Sequence, residues 1–239
     1  MANKPLDYRD GTVTLKGYLA DDGRPGARPG IVLFPEANGI GDHVIERARR
    51  LAALGYVALA ADPYGDGAQA RDLPHAIELM TAVRSDVSRW RARARAALDA
   101  LCGEPSVDRA KLAAIGYCFG GSTALELGRS GAPLSAIVSF HGGLEAPKPE
   151  DAAKIRAKVL VCHGANDPLI PLEHVAAFEA QMRHTTVDWQ LVSYGGAVHS
   201  FTNPDADKLD NPAFAYNAAA DRRSWAAMLS LFEEAFSSR

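Results

Sequence analysis

The sequence predicts an α/β fold: a mostly parallel, doubly wound sheet with helices on both faces and an N-terminal antiparallel hairpin. Three observations carry this. Short, continuous apolar runs such as Ile31-Val32-Leu33-Phe34 alternate with longer stretches of helical periodicity, the pattern of strands buried on both faces and joined by crossover helices. Asp10-Gly11 separates Tyr8 from an alternating run, which is a hairpin signal. The helical stretch from His43 to Leu54 stops at Gly55, a C-terminal cap.

In chain order, residues 12–19 alternate like a half-buried strand, and 21–30 form a Gly/Pro/Arg-rich loop. Residues 31–34 are a buried strand, 43–54 a helix and 56–61 another buried strand. The Ala/Arg/Leu-rich segment 73–101 reads as one or two helices. Strands follow at 112–116, 136–140, 159–162 and 187–194, and helices at 122–129, 172–182 and 213–236. The connection 142–155 is short and charged, so no large lid domain is inserted there. No repeat or linker divides the chain, which is expected to form one domain over 1–239.

Composition excludes several function classes. With 47% apolar and 23% charged residues the balance is that of an ordinary globular chain. A net charge of −3 offers no footprint for nucleic acid or an anionic membrane. No apolar stretch approaches the roughly 20 residues of a membrane span. Cys102, Cys118 and Cys162 are odd in number and widely spaced, which fits a reducing compartment better than a disulfide framework. The first residues lack the apolar core of a signal peptide, so the expected location is the cytoplasm. No H-E-x-x-H, Cys/His ligand set, G-x-G-x-x-G or P-loop is present, so neither metal nor cofactor is expected. Nothing in the pattern sets the oligomeric state, and a monomer is compatible with it.

The strongest chemical signal is Gly116-Tyr117-Cys118-Phe119-Gly120-Gly121. It has the G-x-nucleophile-x-G form, with cysteine in place of serine. The chemistry explains the spacing. The nucleophile occupies a tight strand-to-helix turn, and flanking glycines keep Cβ atoms out of it. The helix N-terminus favours a thiolate and a developing oxyanion. Cys102 and Cys162 lack this context and read as packing residues.

In the α/β-hydrolase fold an acid and a base follow the nucleophile in that order. Asp167 lies in His163-Gly164-Ala165-Asn166-Asp167-Pro168, just beyond one strand, and His199 in Gly195-Gly196-Ala197-Val198-His199, just beyond the next. His199 is the candidate general base and Asp167 the group that orients it. His163 shares the loop of Asp167 and reads as a turn-shaping residue. His43, His75, His174 and His184 show no partner pattern. His141 precedes Gly142-Gly143, but an oxyanion-hole motif of that kind should come before the nucleophile, so His141 reads as structural. The strand ending at Phe34 runs into Pro35-Glu36-Ala37-Asn38-Gly39, the loop that should give one oxyanion donor. Ala37 N–H is assigned to that role and Phe119 N–H is the second donor. Glu36 would either oppose a thiolate by charge or accept a hydrogen bond from the neutral thiol.

Pro35-Glu36, Ala61-Asp62-Pro63-Tyr64-Gly65, the Gly-Tyr-Cys-Phe-Gly-Gly elbow, Asp167 and Gly196-Ala197-Val198-His199-Ser200-Phe201 occur in order along nearly the whole chain. Together they resemble the dienelactone hydrolase family. The resemblance implies a Cys-Asp-His triad with Glu36 as auxiliary acid, holding the resting thiol and releasing it when substrate binds. It also implies a small-molecule ester or lactone substrate, the name-giving one being an enol-lactone of aromatic ring degradation. Tyr64 and Phe201, from these motifs, are candidate substrate-binding residues. One departure stands out. The name-giving enzymes bind a substrate carboxylate with cationic side chains, yet no cation follows His199 until Lys208. Arg71 and Arg84 are the candidate substitutes. A thioesterase or carbon–carbon bond hydrolase of the same fold, and a catalytically silent binding protein, are the rival readings.

Overall fold

A computed structural model describes residues 2–237. They form two compact units, residues 1–115 and 116–239, whose described parts are taken in turn.

The first unit opens with the hairpin. Strands β1 (Ala2–Asp10) and β2 (Val13–Asp21) pair antiparallel in full register from Ala2↔Asp21 to Asp10↔Val13. β1 is therefore longer than Tyr8 alone suggested. It is an edge strand, where Pro5 can sit without breaking a ladder. β3 (Arg28–Phe34) and β4 (Val57–Ala60) pair parallel, and β2 joins β4 antiparallel, giving the order β1-β2-β4-β3. All four β4 residues are buried, as are Ile31 to Phe34 of β3, which explains their unbroken apolar runs. Helix α1 (Asp42–Ala53) follows β3 and ends before Gly55, whose φ of 95° suits glycine.

The segment after β4 contains two helices, α2 (Leu73–Arg84) and α3 (Val87–Gly103). Each has an aspartate cap: Asp72 accepts from His75 N–H, and Asp86 accepts from Ser88 and Arg89 N–H. Asp86 is what divides the helical stretch. β5 (Val107–Tyr117) then runs from the first unit into the second.

In the second unit the order is β6-β7-β8, with β6 (Ala136–Phe140), β7 (Lys158–Gly164) and β8 (Trp189–Tyr194) mutually parallel. The loops after β7 and β8 therefore emerge at the same end. Helix α4 (Phe119–Arg129) starts one residue past Cys118, earlier than the sequence indicates, and all eleven of its residues are buried. A short 3-10 turn (Pro149–Lys154) occupies the β6–β7 connection, so no lid domain stands there. Helix α5 (Leu172–Arg183) precedes β8. Helix α6 (Ala218–Ser237) begins later than the helical pattern suggests. Asn217 caps it by accepting from Ala220 N–H, and the residues before it run along the His199 loop. No described helix is long and apolar enough to cross a membrane.

Burying α4 completely also buries a charge pair. Arg129 donates to Glu126 Oε1 at 2.9 Å and to Gln181 Oε1 at 3.1 Å, with both charged side chains almost fully enclosed. Removing one partner leaves a buried charge uncompensated. Glu126→Ala should therefore cost about 3–5 kcal/mol in urea unfolding. The exposed pair Arg95–Asp99 provides the contrast: Asp99→Ala should cost under about 1 kcal/mol.

Candidate active site

The site is built around the backbone of Cys118. Its dihedrals, φ 54° and ψ −118°, lie where side chains are rarely found, a strain on the order of 1–3 kcal/mol. The turn is possible because Gly116 has no side chain: a Cβ there would overlap the Gly120 carbonyl. A Cβ on Gly121 would fall 2.5 Å from Ser139 Oγ. Gly116 is the first glycine of the motif, and Gly121 directly follows its second. Cys118 N–H donates to Phe140 O at 3.0 Å and to His141 Nδ1 at 3.1 Å, tying the turn to the end of β6. The sulfur-bearing residue is only partly exposed, and Phe119 N–H is the first of α4.

Asp167 and His199 meet from the loops after β7 and β8. His199 Nδ1 lies 2.7 Å from Asp167 Oδ2, both side chains being almost fully buried. The other carboxylate oxygen, Oδ1, accepts from Leu169 N–H at 2.9 Å, so Asp167 is satisfied on both oxygens. A carboxylate on Nδ1 puts the proton of a neutral ring there and leaves Nε2 able to accept one. His199 is fixed further by its backbone, which donates to Ala213 O and accepts from Ala215 N–H. The Phe214 ring stands edge-on at 5.4 Å and His141 at 5.3 Å.

Nε2 of His199 is buried and makes no hydrogen bond of full geometry. Even so, the Cys118 thiol bears on it strongly. Burial is the largest influence on His199 and works against its charge. The negative charge of a Cys118 thiolate, the Asp167 hydrogen bond and a looser hydrogen bond to Cys118 overcome it, pushing the imidazole up to about 10. The imidazole is therefore favoured in its charged form by the two groups on either side of it. His163 behaves oppositely: burial lowers it first, Asp167 raises it less, and the charge of His199 lowers it again. Asp167 thus serves His199, although His163 is its neighbour in sequence.

The remaining cysteines lack such activation. Burial pushes the Cys162 thiol up to about 12. Cys102 is also raised, by burial first and then by Asp99.

The first unit holds the other expected residues. Glu36 lies just past β3, with its carboxylate 3.6 Å from His43 Nδ1. The sequence reading gave His43 no partner; its position in the first turn of α1 supplies one. Ala37 O accepts from Tyr64 OH at 2.7 Å. Asp62 receives the N–H groups of Tyr64, Gly65 and Gly67 and so shapes the loop that presents Tyr64. Tyr64 therefore fastens the Glu36–Ala37 loop, a role the sequence reading did not assign. Arg84 lies 5.5 Å over the Trp90 ring, and Arg71 is on an exposed segment. Phe201 corrects an expectation. It is fully buried, against His141 at 5.1 Å and Tyr194 at 5.6 Å, so it backs the base loop and cannot line a substrate surface. His141, read as structural, stands between Cys118 and the base loop. A separation of 23 residues from Cys118 hid that contact. Among the described residues no group of three or more His, Cys, Asp or Glu is placed to hold a metal ion.

Comparisons with known proteins agree with this architecture. The model of the dienelactone hydrolase family matches residues 15–236. A solved structure named m3DLH is 52% identical, with 98% of each chain covered and a TM-score of 0.95. A dienelactone hydrolase-like promiscuous phosphotriesterase from metagenomic libraries is 51% identical, again over 98% of each chain, with a TM-score of 0.94. A Yersinia pestis protein provisionally named a carboxymethylenebutenolidase is 28% identical, over 92% of this chain and 84% of its own.

The His199 assignment makes a prediction that needs no substrate. The imidazole of His199, followed by NMR, should hold its proton to about pH 10. Asp167→Asn removes an anion that favours the charged ring, so the midpoint should move to lower pH. An unmoved midpoint would show that Asp167 does not act on His199.

Proposed function

Because the chain belongs to the dienelactone hydrolase family, we propose that it hydrolyses a carboxylic ester or lactone through a Cys118-His199-Asp167 triad, without a cofactor. The single observation that carries this is the buried Asp167–His199 pair, with an imidazole whose affinity for its proton is raised by the Cys118 thiolate.

The reaction follows from these groups. The Cys118 thiolate attacks the ester carbonyl carbon, forming an S–C bond and a tetrahedral oxyanion. The Phe119 N–H at the start of α4 favours that charge. Collapse expels the alkoxide, which takes the Nε2 proton of His199. Neutral His199 then draws a proton from water, the resulting hydroxide attacks the thioester, and the thiolate leaves as the acid is released. Asp167 holds the ring in one tautomer throughout. Two further assignments rest on the sequence pattern: Ala37 N–H as second oxyanion donor and Glu36 as an acid that restrains the resting thiol. The name of the Yersinia pestis relative supports a lactone as one substrate class.

A second activity is supported by the phosphotriesterase at 51% identity. With an aryl dialkyl phosphate the thiolate would form an S–P bond as the P–O bond to the aryl group breaks. His199 gives the aryloxide its proton, and water then cleaves S–P to release a dialkyl phosphate.

The test is turnover of a dienelactone, a simple aryl ester and an aryl dialkyl phosphate by wild type and Cys118→Ala. Wild type should hydrolyse at least one of the first two, and the variant should lose at least about 10³-fold in kcat/KM. Ester turnover untouched by the substitution would exclude Cys118 as the nucleophile.

Thiol labelling tests the restraint. Iodoacetamide should modify Cys118 ahead of Cys102 and Cys162, whose thiols burial raises. Glu36→Gln should change the pH dependence of Cys118 labelling. An identical profile removes Glu36 from the mechanism.

A further inference from the structure

We propose that His141 is a positioning residue for the Cys118 reaction, a neutral strut that fixes the nucleophile's backbone and the His199 loop to each other. This rests on the reading of Cys118 as nucleophile and His199 as base.

The strut is defined by what its ring touches. His141 follows β6 directly, is fully buried and takes a positive φ of 41°. Its own N–H donates to Cys162 O at 2.8 Å, which anchors its backbone to β7. Nδ1 accepts from Cys118 N–H at 3.1 Å. Nε2 lies 2.8 Å from Thr202 Oγ1, on the loop that carries His199. The two contacts select one tautomer. An Nδ1 that accepts a backbone N–H has no proton, so the ring proton is on Nε2 and is donated to Thr202. The rings of His199 and Phe201 stand edge-on to it at 5.3 and 5.1 Å, and Tyr117 lies tilted at 6.1 Å. One imidazole therefore links the strained elbow, the base loop and the base itself.

This arrangement does two things for the reaction. Cys118 N–H has Phe140 O as its other acceptor, and two acceptors constrain the φ of 54° more tightly than one. The ring must also stay neutral while His199 gains and loses its proton. A proton on Nδ1 would face Cys118 N–H donor to donor and put a second cation beside the His199 imidazolium. Titratable groups beside it include Cys118, His199 and Tyr117. Of these, His199 carries the positive charge, and it disfavours a charged His141.

Three variants separate positioning from packing. His141→Phe keeps a ring and removes both hydrogen bonds. His141→Asn offers a carbonyl oxygen near the Nδ1 position, restoring the acceptor for Cys118 N–H without the reach to Thr202. Thr202→Val removes the far anchor alone. Each is measured for kcat and KM on an aryl ester, iodoacetamide labelling of Cys118 and thermal midpoint. His141→Phe should lower kcat about 10–100-fold with KM within about twofold, as a misplaced reacting group does, and should slow labelling. His141→Asn should recover labelling and about tenfold of the lost kcat, and Thr202→Val should lower kcat several-fold. Wild-type kcat and labelling in His141→Phe would overturn the proposal. So would equal losses in the Phe and Asn variants that follow their thermal midpoints. If His141→Phe does not fold, Thr202→Val decides, and unchanged kcat there overturns the strut. Labelling needs no substrate, so it still judges His141 if the ester reading fails, while Cys118→Ala judges that reading separately.

Discussion

At Cys118 the chain adopts φ 54° and ψ −118°, a conformation that a side-chain-bearing residue holds only when its surroundings over-determine it. The second unit supplies those surroundings. Gly116 leaves room for the Gly120 carbonyl, and Gly121 lets α4 approach Ser139 and Gly142. Phe140 O and His141 Nδ1 receive the Cys118 N–H. The helix that begins at Phe119 is buried along its whole length, and its one interior charge pair is closed within it and braced by Gln181. A helix so enclosed cannot shift or tilt without disturbing close packing. The sulfur is thereby presented in one direction, at the start of a helix whose dipole favours negative charge.

The same unit solves the complementary problem for the base. A histidine in an apolar setting tends to lose its proton, and burial does act on His199 in that sense. The satisfied Asp167 carboxylate and the thiolate reverse the outcome. Rigid aromatic neighbours, Phe214 and His141, hold the ring so that these attractions act at fixed distance. Electrostatics set the charge and packing sets the direction.

How much of this could be read from sequence depended on whether the information was local. The elbow was legible because the overlap that requires Gly116, with the Gly120 backbone, lies within six residues. Asp167 and His199 were legible because parallel strands bring successive loops to one end. The His43 contact to Glu36 and the His141 contacts were not legible, since they arise only where separate elements meet. Phe201 was misplaced for a related reason. Its position two residues after the base suggested the substrate side, whereas Ser200, at φ 56°, turns the chain so that Phe201 packs inward. The break between α2 and α3 had a local signal, the cap at Asp86, which Ala/Arg/Leu-rich composition masked.

Substrate scope is governed by where cationic charge is already engaged. Recognition of a carboxylate-bearing lactone calls for a cation with hydrogen-bonding capacity to spare. Arg84 is held over the Trp90 ring, an attraction that grows as the guanidinium is desolvated. Recruiting it to a substrate would forfeit that contact. Arg71 has no comparable anchor to forfeit, but an exposed side chain must lose rotamer freedom to bind. Neither arginine is therefore pre-organised to hold a carboxylate. The chemistry of Cys118, His199 and Asp167 carries no such requirement, because thiolate attack depends on the electrophile and the leaving group. A hydrolase working through the proposed groups would discriminate among substrates by leaving group more than by a distal carboxylate.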